Sequence, residues 1–531
     1  MDFIVIGSGI TGLNTALALL EKGSNVELWD IGFTENLKTY NNDNFIDFKK
    51  NLKLSSETLI GDDSKLFPEP VNQNLFDIPP QRDFVLKDDD LNKIFNNLNN
   101  FNIFQSDTFG GLANGWGANT LPYNLEDIQD WNLDNQSFFS AQFDIFNTIP
   151  VSKVSDDINT LFNVKLLGTE KSIKLDKRDL FLMSRFRKNK KYFIDKKFGL
   201  GKARLAIKNS GTVDSCNLSA RCLWGCPNNA IYNPIHSTFN KCSKFKNFRY
   251  FSGRKVLSFD LEDKIIKKIN YIENQTLISK SVIAKICLSA GAVQSGIIFN
   301  RTLKKNKIEK KIITGLLDTK KIKIAYLIPA MLKKKFEKQS IQFNRLIGGI
   351  NIGDNNLKKY IHLEFLHLNS LFYQPLVNSL PFSLRLSKDI FYNIFTALGV
   401  CTYFLPDEIK NTNNLSYDNN SDKFNINYIE GDEKLKLDKL VEKKIKNIIF
   451  KLSAIPLKTI RYNSGAAIHY AGTIPMGASD DYPVDRFGRV KFIQNLYICD
   501  SSAFPSLPSK PISLNAASFA RYVVNNIYAK R

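Results

Sequence analysis

Gly7-Ser-Gly-Ile-Thr-Gly12 follows the apolar run Asp2-Phe-Ile-Val-Ile and leads into a helical pattern over 13–22. A G-x-G-x-x-G turn in that position offers backbone N–H groups and the positive end of a helix dipole to a pyrophosphate. Gly7 permits the tight turn, Gly9 lets phosphates approach the main chain, and Gly12 lets the helix pack close to the strand, with Ile10 and Thr11 completing the turn. A carboxylate for the ribose hydroxyls is expected about 20 residues further on, at the tip of the second strand. Asp30 stands there, whereas Glu27 lies inside the strand over 25–30. A glycine turn without a ligand is the bland alternative, and the combination of turn, helix and acid argues against it. These residues alone do not separate FAD from NAD.

Four further segments carry a resemblance. His469-Tyr-Ala-Gly-Thr-Ile-Pro-Met-Gly477, followed by Asn495-Leu-Tyr-Ile-Cys-Asp-Ser-Ser-Ala-Phe-Pro505, is similar to the terminal signature of the glucose-methanol-choline (GMC) oxidoreductases, which bind FAD. Phe109-Gly-Gly-Leu-Ala-Asn-Gly-Trp-Gly117 resembles that family's flavin-contacting glycine segment, and Ile286-Cys-Leu-Ser-Ala-Gly-Ala-Val-Gln294 its second internal signature, in the same order. The resemblance covers both ends and two internal blocks, and leaves 33–100 and 311–455 unmatched. It implies FAD, with Gly110, Gly111, Asn114 and Gly117 near the flavin, Ala290 among the cofactor contacts, and Asp500 near the phosphates or ribityl chain. The family's usual covalent attachment goes through a His in the glycine segment, which has none here, so noncovalent binding is expected.

The implied activity is oxidation of a CH–OH group in an alcohol, polyol or sugar. Such a reaction removes the hydroxyl proton as hydride leaves carbon for flavin N5, and a neutral His beside the ring suits the proton. His469 is the candidate among four histidines, the others being His236, His362 and His367. A lone His is more often a satisfied structural group, and only the surrounding motif favours the base. Most family members add a second His or an Asn downstream. Alignment from Phe504 puts Pro511 in that slot, with neither side-chain donor nor backbone N–H. Lys510 and Asn515 are the neighbouring substitutes.

Cys216, Cys222 and Cys226 place three thiols in one loop ahead of Asn233-Pro. Three thiolates can ligate zinc or an iron–sulfur cluster. The loop resembles one in FAD-containing sugar dehydrogenases of the family that hold a three-iron cluster and pass electrons to a partner, which would imply a protein or quinone acceptor. Buried thiols in a compact loop are the other reading, and a fourth cysteine is absent from it.

The elements that must position these groups read as an α/β fold. A discontinuous Rossmann-like FAD-binding domain is expected from 1–310 and 456–531, with a surface excursion over about 33–100 and the cysteine loop at about 210–235. An α+β substrate domain built on an antiparallel sheet is expected from 311–455. Strands are expected over 249–262, 264–272, 282–288, 321–328 and 360–368, a polar loop over 411–422, an amphipathic helix over 433–452 and a last helix from Leu514. Phe365, Phe372, Tyr373, Phe391 and Tyr392 could line a pocket or a core.

With 531 residues, 43% hydrophobic and 24% charged, the chain can bury two cores and is not globally disordered. Its net charge of +21 permits anionic partners. The basic run between Lys165 and Lys208, with Arg185, Arg187, Lys188, Lys190, Lys191, Lys196 and Lys197, carries no nucleic-acid motif and reads as a solvated face. Pro375, Pro381, Arg385, Lys388 and Asp389 interrupt the apolar stretch at 365–406, so no spanning helix is expected there. Ile390, Ile394, Phe395 and Leu398 recur at helical spacing behind a basic start, compatible with peripheral membrane contact or with the core. A strand starting at Asp2 leaves no room for a secretion leader, and seven cysteines, an odd number, suit a reducing compartment, so a cytoplasmic location is expected.

Overall fold

Phe3–Ile6 is apolar on both faces, and so short a run is stable only as an inner strand covered on either side. A computed structural model describes residues 1–34, 80–86, 91–99, 101–310, 312–335, 337, 339–353, 360–367, 383–418 and 420–529. The strands of its two large sheets, numbered in chain order, are β1 (Phe3–Ile6), β2 (Val26–Trp29), β3 (Phe198–Lys202), β4 (Phe248–Phe251), β5 (Lys285–Leu288), β6 (Lys320–Leu327), β7 (Leu346–Asn351), β8 (Tyr360–His367), β9 (Leu398–Leu405), β10 (Ile455–Arg461) and β11 (Leu496–Ile498). The helices used below are α1 (Ile10–Glu21), α2 (Lys177–Lys188), α3 (Ala292–Lys305), α4 (Asp432–Lys451) and α5 (Ser513–Ala529).

The first sheet is parallel, in the order β11-β5-β1-β2-β4. Its register brings the ends of β1, β2 and β5 level, Ile6 beside both Trp29 and Leu288. The last helix, α5, packs on α1, so the two ends of the chain share one core that includes Leu13, Leu17, Phe519 and Val523. Each such buried side chain contributes about 1.5–3 kcal/mol of apolar burial.

The second sheet is antiparallel, in the order β10-β6-β9-β8-β7-β3. Burial alternates strictly along β6. Ile322, Ile324 and Tyr326 join Cys401, Tyr403, Leu363 and Phe365 in a core that α4 closes with Val441, Ile445 and Ile448 and α2 with Leu182 and Phe186. The other face of β6, with Lys321 and Lys323, looks into the cavity described below. This sheet takes β3 and β10 largely from outside 311–455, so sheet membership does not follow that boundary.

The polar run at 411–422 is not simply a loop. Asn414–Asp418 pairs with Lys423–Asn427, and Leu415, Phe424 and Ile426 are buried. Three alternating apolar residues suffice to seat a hairpin whose other positions face water. The strand expected over 249–262 is divided between β4 and Lys255–Glu262, with Gly253 at φ +79 between them. Phe365 and Phe391 are core residues. Phe372, Tyr373, the side chain of Tyr392 and most of 33–100 lie outside the described residues. Arg187, Lys188, Lys190, Lys191, Lys196 and Lys197 are exposed, as a solvated basic face requires. Among the described residues, no helix is long and apolar enough to cross a membrane.

Candidate functional site

The turn from β1 into α1 is held on both sides. Gly7 N–H donates to the Trp29 carbonyl at 2.8 Å, and Ser289 N–H donates to the Ile6 carbonyl at 2.9 Å. The tips of β1, β2 and β5 are thereby clamped together. Gly7 has φ +101, which favours glycine, and a Cβ at Gly12 would overlap the Gly7 carbonyl oxygen. A Cβ at Gly9 would meet nothing within 4 Å, because Gly9 faces open space at the N-terminus of α1. Ser8 joins two other parts of the site: its Oγ donates to Asp30 and accepts from Gly110 N–H at 2.8 Å.

A cavity of about 610 Å³ starts at this turn. Gly7, Gly9, Ile10, Thr11 and Asp30 line it, as do Gly111, Gly117 and Ala290. Asp30 is half-buried because its surface opens onto the cavity, and desolvation raises its carboxyl to about 7 against the lowering effect of the Ser8 hydrogen bond. The walls hold buried polar atoms without partners: Arg82 Nε, Gln105 Nε2, Asn119 Oδ1, Arg254 Nη1, Ser289 Oγ and Gln342 Nε2. Unpaired buried polar atoms are costly and rare, and six around one cavity suit a polar ligand with both donors and acceptors.

His469, Phe404 and Pro511 line the same cavity. His469 Nδ1 lies 2.8 Å from Thr319 Oγ1. Its ring centroid is 5.3 Å from that of Phe404, which is in turn 6.3 Å from that of His362. Desolvation pushes the His469 imidazole down to about 4, so the ring is neutral at ordinary pH. Glycine turn, Asp30 and His469, far apart in sequence, thus border one space.

A profile of the family described as GMC oxidoreductase matches residues 446–520. Residues 446–520 are thus similar to the GMC oxidoreductases. This stretch holds His469, Asp500, Lys510, Pro511 and Asn515, and it includes the C-terminal motifs that carry the resemblance. Pyridoxine 4-oxidase from Mesorbium loti has a similar fold, with a TM-score of 0.63 and 13% sequence identity over 100% of this chain and 99% of that one. No curated protein sequence matches the chain.

Within 446–520 the structure separates residues that meet the cavity from those behind it. His469 and Pro511 line it. Asp500 is buried outside the lining; its carboxylate accepts from Gly291 N–H at 3.0 Å, Ser295 Oγ at 2.6 Å and Ser502 N–H at 2.9 Å, which fixes the turn into α3. Asn515, expected as a substitute for the second polar group, is directed elsewhere: its amide donates to the Leu121 carbonyl at 2.9 Å and the Pro511 carbonyl at 2.8 Å, and its oxygen accepts from Tyr123 N–H at 2.9 Å. Lys510 is fully buried against Asp127. Neither reaches the cavity, because the chain turns at Pro511 and the flanking side chains serve the wall.

Gly110 and Asn114 also work from behind. Asn114 donates to the Phe109 carbonyl at 2.8 Å and accepts from Asn233 at 2.8 Å. Cys222 lines the cavity, while Cys216 and Cys226 pack beside it in the same cluster. Burial pushes the thiols of Cys216 and Cys222 up, toward the neutral form. Among the described residues, the one set of three potential metal ligands within 4.8 Å is Asp176, Asp179 and His367. Arg345 already engages both of these carboxylates, at 2.6 and 2.9 Å, so this set is a buried ion cluster. Ser8, Thr319 and Phe404 were not singled out by sequence. Ser8 was visible as an x position of the glycine motif, whereas Thr319 and Phe404 fall in the stretch without motifs.

Proposed function

We propose that the chain is an FAD-dependent oxidoreductase acting on the CH–OH group of an alcohol, polyol or sugar, with FAD held noncovalently and His469 as the base. The observation that carries this reading is the single cavity joining the glycine turn and Asp30 to the neutral imidazole of His469. Its unpaired polar atoms and the open approach to Gly9 fit a dinucleotide. Bound there, FAD supplies N5 as the acceptor of the hydride that leaves the alcohol carbon.

The chain's own residues do the rest. In the tautomer that donates Nδ1–H to Thr319 Oγ1, Nε2 is unprotonated and able to take the hydroxyl proton as the carbonyl forms. The parallel-sheet part, 1–310 and 456–531, holds the cofactor, and 311–455 supplies most of the substrate face. The partly buried thiols of the cysteine loop pack against a hydrophobic cluster, and no electron-transfer step is assigned there. Seven free cysteines support a reducing, cytoplasmic setting.

Pro511 on the cavity wall favours a second reading, a protein that binds FAD and turns over poorly. Anaerobic addition of alcohols, polyols and sugars to the FAD-loaded protein tests both. Bleaching that is lost in His469→Ala supports the enzyme; a spectrum unchanged by every candidate overturns it and leaves the flavin-binding protein.

A further inference from the structure

His469 comes at the end of a turn with a costly backbone. Ile468, immediately before it, has φ +58, a left-handed conformation that a β-branched residue rarely adopts and that the surroundings must hold in place. Gly465 opens the turn at φ +86, so close to its neighbour that a Cβ would overlap the Asn102 carbonyl oxygen. Ile468 N–H donates to the Gly465 carbonyl at 3.1 Å. The Tyr470 hydroxyl bridges that carbonyl and the Asn102 carbonyl, 2.9 Å from each.

Asp318 ties this turn to the partner of the base. Leu317–Asp318 pairs antiparallel with Tyr470–Ala471, and Asp318 stands opposite Tyr470. The next rung of that register is Thr319 opposite His469, the pair joined at 2.8 Å between Oγ1 and Nδ1. Successive side chains alternate, so Thr319 meets the imidazole while Asp318 leaves the ladder on the other side. There its Oδ2 accepts from Gly465 N–H at 2.7 Å. One residue thus holds both the segment that carries Thr319 and the turn that carries His469.

Asp318 is itself anchored from the substrate side of the molecule. Its N–H donates to Asp407 Oδ2 at 3.1 Å, and its carbonyl accepts from Lys434 Nζ of α4 at 3.0 Å. Lys434 also pairs with Asp407 Oδ1 at 3.2 Å, and all three residues are buried. Asp318 does not line the cavity, so it touches neither cofactor nor substrate there. Its Oδ1 is buried without a hydrogen-bond partner among the described residues, a cost that packing alone gives no reason to bear.

We propose that Asp318 is a positioning residue for the oxidation: by holding the Gly465 turn against the segment that carries Thr319, it sets the orientation of the His469 imidazole. This inference rests on the reading of His469 as the base.

The test uses the FAD-loaded full chain and two readouts. The chain has only four histidines, so NMR of protein carrying isotope-labelled histidine reads each ring, with the His469 signals assigned by their loss in His469→Ala. The parent is expected to hold this ring in one tautomer, with the proton on Nδ1. Asp318→Ala and the bulkier Asp318→Leu both remove the acceptor for Gly465 N–H, and either one that folds should show mixed tautomers. Asp318→Asn keeps an acceptor and should keep the single form. Anaerobic reduction by an alcohol, polyol or sugar that bleaches the parent should show kcat about ten- to a hundredfold lower in the Ala or Leu variant, with KM and flavin content unchanged. In Asp318→Asn it should stay within about threefold of the parent. A ring that keeps its tautomer, or a kcat that keeps its parental value, in a variant without the acceptor overturns the inference and leaves the proposed function intact. A parent ring with its proton on Nε2 overturns the inference with no variant needed. A parent that no alcohol, polyol or sugar reduces overturns the inference and the proposed function together.

Discussion

Thr319 Oγ1 stands 2.8 Å from Nδ1 of His469 and holds that ring nitrogen in a hydrogen bond. Because desolvation holds the imidazole at about 4, Nε2 is available as a base from about pH 5 upward. The sign follows directly: lowering the pH through about 4 protonates His469 and removes the base. The acid limb of kcat/KM should therefore lie near pH 4 rather than near the ordinary histidine value of about 6.5. His469→Ala should cost about 10²–10⁴-fold in flavin reduction. Thr319→Val should lower kcat by about tenfold and leave flavin content unchanged, since it frees the ring without removing it. Stopped-flow reduction across about pH 3.5–9 measures all three.

Asp30 makes cofactor uptake pH-dependent. Burial holds its carboxyl at about 7, and ribose hydroxyls that donate to it favour the ionised form. Binding then releases a proton below about pH 7, so FAD affinity should strengthen as pH rises through that value and level off above it. Asp30→Asn should bind FAD about tenfold or more weakly, with the pH dependence flattened. Titration of the apoprotein by flavin fluorescence at several pH values reads both. Stronger binding at acid pH would mean that the neutral carboxyl is the favoured partner.

Much of this site was legible because its chemistry sits in short contiguous motifs. The glycine turn, Asp30 and the segment around His469 each impose a local backbone or a charge that few sequences satisfy by chance. Residues that act from behind were misjudged for the opposite reason. Lys510 and Asn515 stand next to Pro511 in sequence, yet neighbouring side chains point in different directions, and nothing local says that Lys510 finds Asp127 or that Asn515 finds Leu121. The sheet was readable from the alternation in β6, while the recruitment of β3 from residues near 200 depends on long-range pairing that carries no local signal. The hairpin at Asn414–Asp418 was hidden because Asn and Asp dominate its exposed positions.

Gly9 and Gly12 should separate binding from folding. A methyl at Gly9 projects into open cavity, so Gly9→Ala should leave the melting temperature of the apoprotein unchanged and weaken FAD by about tenfold or more, where a phosphate has to approach the main chain. A methyl at Gly12 meets the Gly7 carbonyl, so Gly12→Ala should destabilise the apoprotein by about 1–3 kcal/mol before any ligand is considered. Thermal melts with and without FAD distinguish the two. Equal loss of apoprotein stability in both variants would remove the case for Gly9 as the cofactor's approach.

Lys510 supplies the complementary test, because its position makes it a wall residue and not a substitute base. Its ammonium is fully buried, engages Asp127, and lies 5.1 Å from the Tyr360 ring centroid. Removing one member of a buried pair strands the other, which costs about 3–5 kcal/mol. Lys510→Met should therefore lower stability by that order. Flavin reduction by the folded fraction at low temperature should stay within about threefold of the parent, as for a group outside the reacting centre. Replacing both partners, Lys510→Met with Asp127→Asn, should recover part of the lost stability, because no uncompensated charge remains inside. Denaturant titration of the three variants against the parent measures the coupling. A large fall in the rate of flavin reduction with stability preserved would instead put Lys510 in the reaction.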